Sequence, residues 1–126
     1  PVSGGVVTSK FGLRRDPFHG ARKDHKGVDI SADRGAAIHP VQAGKVSFAG
    51  NRPGYGNVVV VDHANGLQTR YAHCDELLVE SGQIVQQGTS LATVGDTGRA
   101  TGPHLHLEAR LDGDAVDPVA TFGWAP

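Results

Sequence analysis

The chain has 126 residues and a net charge of −1, with 12 Lys and Arg against 13 Asp and Glu and no basic cluster; nucleic acid is not an expected partner. Its 18 glycines are about twice the usual share, and no run of eighteen apolar residues offers a membrane-spanning helix. The single cysteine, Cys74, excludes an internal disulfide and a cysteine-rich zinc site.

This length suits one domain with one core, here residues 1–126. Opening on Pro1 without a leader, it reads as an excised or processed piece of a longer exported protein, monomeric as a domain. Val6 to Phe11 is expected to form a first strand, and residues 13–24 an irregular polar loop. His25-Lys26-Gly27-Val28-Asp29-Ile30 alternates roughly between polar and apolar residues, as one extended segment does. Residues 44–49 and 57–63 read as strands, the second a β-branched run covered on both faces. Asn65-Gly66 is a hairpin signal leading into a strand over 67–73. A short helical turn is expected around Glu76-Leu77-Leu78, then glycine-rich repeats over 82–95. A glycine-rich loop over 96–103 precedes a strand over 104–111; a turn at 112–114 and an irregular tail follow. The fold expected is mainly β, a single antiparallel split-barrel-like sheet with long loops flanking a groove.

Chemistry concentrates in His104-Leu105-His106-Leu107-Glu108. On a strand, residues two apart share a face, so Leu105 and Leu107 enter a core while His104, His106 and Glu108 face the other way. His25 and Asp29, four apart on an extended segment, share a face with Gly27, which leaves the space between them open. Adding one imidazole from the His-x-His strand makes a three-ligand site of the kind that holds a hydrolytic zinc with one water, whose pKa falls to about 7. Tyr71-Ala72-His73 ends a strand, with Tyr71 and His73 expected on one face. Glu108 and Asp62 are the candidate carboxylate partners for site histidines. His19 reads as a loop residue, His63 as a structural hydrogen-bonding group, Cys74 as a small buried hydrophobe and Arg14-Arg15 as a solvated pair.

Ser9-Lys10-Phe11-Gly12-Leu13-Arg14, His25-Lys26-Gly27-Val28-Asp29, Tyr55-Gly56-Asn57, Gly66 to His73, the Gly82-Gln83 and Gly88 stretch, and Gly95 to Glu108 occur in an order that resembles the LytM/lysostaphin-type zinc metallopeptidases of bacterial cell walls. The resemblance runs from about Val6 to Pro118. It implies one Zn²⁺ held by His25, Asp29 and His106, with His73 and His104 as catalytic histidines that do not bind it. It implies an endopeptidase acting outside the cytoplasm, in the periplasm or cell envelope or as a secreted enzyme. The zinc-bound water would attack amide carbonyls in peptidoglycan stem peptides or cross-links, with D,D-bonds favoured. Asn57 matches an asparagine near the substrate groove in relatives. Tyr71 joins it as a candidate substrate-binding residue, packing being its plainer role. Relatives that have lost zinc ligands act as binding or amidase-regulating modules, and that is the alternative function; here all five residues stand. Cys74 replaces a common Leu, and His39-Pro40 also departs from the pattern.

Overall fold

The computed structural model describes residues 1–2, 5–9, 12–15, 22–25, 27–97 and 102–122, with backbone alone for Val6, Thr8, Ser9, 12–15 and 22–25. In chain order the strands are β1 (Val6–Ser9), β2 (Gly12–Arg15), β3 (Arg22–His25), β4 (Val28–Ser31), β5 (Ala37–Ile38) and β6 (Gly44–Arg52). They continue with β7 (Gly56–Asp62), β8 (Leu67–Leu77), β9 (Ile84–Val85), β10 (Ala92–Val94), β11 (His104–Leu111) and β12 (Asp114–Val116), before a short helix α1 (Pro118–Phe122). The main sheet runs β1-β4-β11-β8-β7-β6-β9. β10 joins the far end of β8, β5 joins β10, and β12 lies on β11. The pairings in this sheet are antiparallel, as expected for a mainly β domain.

The apolar alternation explains the core. Leu105 and Leu107 of β11, Val59 and Val61 of β7, and Val28 and Ile30 of β4 point into one cluster with Tyr71 and Cys74. Val58, Val60 and Ala72 form a smaller cluster on the opposite face under Phe48 and Tyr55. The Val58–Val61 run is therefore buried on both sides, which is why it shows no polar alternation. The Asn-Gly turn forms as expected: Asn65 (φ 62°) and Gly66 (φ 80°) both adopt the left-handed conformation between β7 and β8.

Four expectations fail. Part of the 13–24 stretch is ordered into strands: β2 and β3 pair as a two-stranded antiparallel ribbon, with Leu13 opposite Asp24 and Arg14 opposite Lys23. Their polar composition hides the pairing from any reading that looks for apolar alternation. His25 and Asp29 do not share one extended strand; β3 belongs to this ribbon and β4 to the main sheet. No helical turn forms at 76–78, because Cys74 and Leu77 pair with Val94 and Ala92 of β10, and a distant strand outweighs weak local propensity. The tail is structured as far as Phe122. Asp112 (φ 50°) and Gly113 (φ 91°) turn β11 back into β12. Asp117 then caps α1, its carboxylate accepting from the Val119 N–H at 3.0 Å, with Pro118 as the first helical residue.

Candidate active site

Three adjacent strands build the site. His106 on β11 lies opposite Asp29 on β4 and opposite Ala72 on β8. His106 Nδ1 is 2.7 Å from Asp29 Oδ1, and its Nε2 is 2.9 Å from Glu108 Oε2. Glu108 is only 3% exposed, so its second oxygen also needs partners; it accepts from Arg110 at 2.8 Å and from the Tyr55 hydroxyl at 3.1 Å. Burial opposes charge on His106, but Asp29 and Glu108 outweigh it and push its pKa up to about 9. Burial likewise works against the Glu108 carboxylate, yet His106 and Arg110 pull its pKa down to about 2.

Gly27 is required by this packing. A Cβ there would lie 2.6 Å from the Leu107 carbonyl oxygen and 2.8 Å from His106 Cε1. The open space anticipated at Gly27 is the space the His106 ring edge occupies.

His104, two residues back, faces the same way. Its Nδ1 donates to the Gly102 carbonyl at 2.9 Å, and its Nε2 lies 3.9 Å from Asp29 Oδ1. His73 reaches the group from β8 by a break in alternation. It is a non-glycine residue with φ 63°, and the β7–β8 register shifts there, so that Asn57 faces Cys74 while Val59 faces Tyr71. This bulge places Tyr71 and Cys74 in the main core and turns His73 towards His104 and His106, with ring centroids 5.0 and 5.9 Å away. The His73 N–H donates to the Tyr55 carbonyl at 2.8 Å, and its ring Nδ1 donates to the Thr97 carbonyl at 2.6 Å. Burial lowers the His73 pKa, keeping the ring neutral near pH 7.

Tyr71, expected beside the substrate groove, lies in the main core instead. It is 0% exposed, its hydroxyl accepts from the Val41 N–H at 3.0 Å and from Thr69 at 2.9 Å, and burial pushes its pKa up to about 12. The bulge is the reason: simple alternation would have put it beside His73. Asn57 is partly exposed; its amide donates to the Asp75 carbonyl at 3.1 Å and accepts from Asn51 at 3.2 Å. Asp62 accepts from Gln68 at 2.8 Å, whereas Glu108 is the carboxylate on His106. His63 is structural, with Nδ1 donating to the Ala43 carbonyl and Nε2 hydrogen-bonded to the Thr69 hydroxyl, both at 2.8 Å. His25 ends β3 opposite Gly12; its side chain, and all of His19, lie outside what is described.

Sequence reasoning missed Thr97, Tyr55 and Arg110. Arg110 carried a signal, since the i, i+2 series of His104, His106 and Glu108 continues to it. Among the described residues no set of three His, Cys, Asp or Glu side chains forms a metal site. The donor chemistry nevertheless fits zinc. His106 Nδ1 and Asp29 Oδ1 meet at 2.7 Å, a pair of atom types that zinc takes as ligands, and Glu108 holds the other side of the ring as such ligands require.

Residues 23–118 match peptidase family M23. The chain belongs to that family. Over 114 residues it is 41% identical to the DD-carboxypeptidase/endopeptidase Mpg of Neisseria meningitidis, covering 90% of this chain and 26% of that relative. The chain thus spans about a quarter of the length of that curated relative. The structure superposes on a zinc-containing peptidase from Vibrio cholerae with a TM-score of 0.86 at 36% identity, over all of this chain and 39% of that one. It superposes on the catalytic domain of lysostaphin from Staphylococcus simulans with a TM-score of 0.83 at 25% identity, over 95% and 93% of the two chains. The M23 metallopeptidase assignment and the mainly β, lysostaphin-like fold expected from the motifs both stand.

Proposed function

We propose that this M23 domain is a zinc-dependent endopeptidase cleaving peptide cross-links of bacterial peptidoglycan, with D,D-bonds preferred. The observation that carries the reading is the convergence of His73, His104, His106 and Asp29 on one face of the sheet, from three different strands. The name of the Neisseria relative supports the choice of bond. His25, Asp29 and His106 would hold the zinc. Bound there, it supplies Lewis acidity for the amide carbonyl and brings the pKa of a water to about 7.

The hydrogen bonds support different roles for the two histidines of the His-x-His strand. His106 has carboxylates at both ring nitrogens, which suits a ligand and its supporting partner. His104 and His73 instead give Nδ1–H to neutral backbone carbonyls and keep the Nε2 lone pair for the groove. Nε2 of one accepts the proton of the attacking water; the protonated ring then donates to the oxyanion or the leaving amine. Asn57, at the rim, is the residue proposed to meet the substrate peptide. The substrate places the domain outside the cytoplasm, in the cell envelope or secreted, acting as a monomer.

The test is digestion of purified sacculi of known cross-link type by zinc-loaded protein, read by mass spectrometry. Loss of D-Ala–diaminopimelate-linked dimers, abolished by chelation and restored by zinc, is expected. Folded, zinc-loaded protein that binds sacculi and releases no new muropeptide would leave the binding-module function in its place.

A further inference from the structure

We infer that Thr97 is a positioning residue for this site, its hydroxyl holding its own carbonyl where His73 must keep a proton on Nδ1 and a lone pair on Nε2. The inference rests on the reading of His73 as catalytic. The Thr97 hydroxyl donates to the Cys74 carbonyl at 2.7 Å and accepts from the Asn57 N–H at 3.1 Å. The Thr97 carbonyl accepts from His73 Nδ1 at 2.6 Å. These bonds close a small ring: imidazole to carbonyl, through Thr97 to its hydroxyl, and back to the carbonyl of Cys74, the residue after His73.

Two features show that this contact is built rather than incidental. His73 and Cys74 sit at the β8 bulge, where the ladder between β7 and β8 is broken, and Thr97 supplies partners to backbone groups on both sides of the break. Gly56 (φ 68°) packs directly on it, and a Cβ there would come within 2.5 Å of the Thr97 carbonyl carbon and 2.6 Å of its hydroxyl oxygen. The Thr97 carbonyl is therefore fixed from two sides, by a hydroxyl bonded to the adjacent strands and by backbone packed against it. A neutral imidazole has two tautomers, and the hydrogen bond at one nitrogen selects between them. Without the hydroxyl, Cys74 O and Asn57 N–H lose a partner, the carbonyl can turn, and the tautomer with a proton on Nε2, which cannot accept one, gains population.

The test compares Thr97→Val, which keeps the shape, with Thr97→Ser, which keeps the hydroxyl, in the zinc-loaded chain. Readouts are kcat and KM on a cross-linked muropeptide dimer, bound zinc, and the nitrogen-15 NMR signature of the His73 tautomer. For Thr97→Val we expect kcat to fall by about 10–100-fold, the range for partners that orient functional groups, with KM and zinc content held. Its His73 spectrum should shift towards the Nε2–H form, whereas Thr97→Ser should keep both rate and spectrum near wild type. Wild-type turnover and an unchanged His73 signal in Thr97→Val would overturn the inference, as would equal losses in both variants. If Thr97→Val does not fold, the wild-type spectrum decides: a His73 proton on Nε2 overturns the inference, and one on Nδ1 that Thr97→Ser preserves supports it. Full activity in His73→Ala would instead sink the catalytic reading, leaving the tautomer measurement to judge Thr97 separately.

Discussion

The main sheet carries two polar networks on its opposite faces, and they differ in kind. On the core face, His63, Thr69, Tyr71 and the Val41 N–H form a chain without a carboxylate or guanidinium that ends on the Ala43 carbonyl. Its links join hydroxyls, amides and one imidazole, and each satisfies a group that burial would otherwise leave unpaired. On the groove face, Asp29, His106, Glu108 and Arg110 form a charged chain, with His73 and His104 beside it. Concentrated charge close to solvent costs desolvation that a chain without it avoids. The sheet thus separates a network that holds the fold from one suited to chemistry, and the distinction lies in partner charge more than in burial: Tyr71 and Glu108 are both buried.

Substitutions at the histidines test that division most severely. His106→Ala should lose both zinc and turnover, because a ligand contributes directly to metal affinity. His73→Ala and His104→Ala should retain zinc while turnover falls by about 10²–10⁴-fold. Metal analysis beside the cleavage rate separates the roles, and zinc loss in His104→Ala with retention in His106→Ala would reverse the assignment.

Glu108→Gln keeps the shape of the charged chain and removes its central charge. Zinc affinity, measured by competition with a chelating dye, should weaken by about 10–100-fold. Unchanged affinity would mean that Glu108 serves Arg110 and Tyr55 alone.

On the core face, Tyr71→Phe should lower unfolding free energy by about 1–3 kcal/mol through the lost partner of the Val41 N–H, with kcat and KM unchanged. A raised KM with stability intact would return Tyr71 to the substrate site.

A pH dependence tests the burial of the same face. Burial pushes Cys74 and Tyr71 up to about 12 from ordinary values of 9 and 10. The unfolded chain therefore ionises first, so the stability is fully present below pH 9 and is lost as pH rises from 9 towards 12. The limiting slope is about 1.4 kcal/mol per pH unit for each group. Denaturant titrations should show this decline, made shallower from pH 9 upward by Cys74→Ala. A profile flat to pH 11 would contradict the burial of both groups.

Much of this protein was legible in its sequence because the relevant physics is local. Period-two alternation places Leu105 and Leu107 in the core and His104 and His106 opposite, and the Asn65-Gly66 pair turns the hairpin, whatever the rest of the chain does. The ordered motifs carry the family. Tertiary structure decided what depends on distant partners. The bulge at His73, which moves Tyr71 into the core, arises from the register with β7 and the fit of Thr97 against Gly56. The roles proposed for the three imidazoles rest on which atoms meet their nitrogens. For His73 that partner is 24 residues away and for His106 it is 77, separations over which no local pattern of residues carries information.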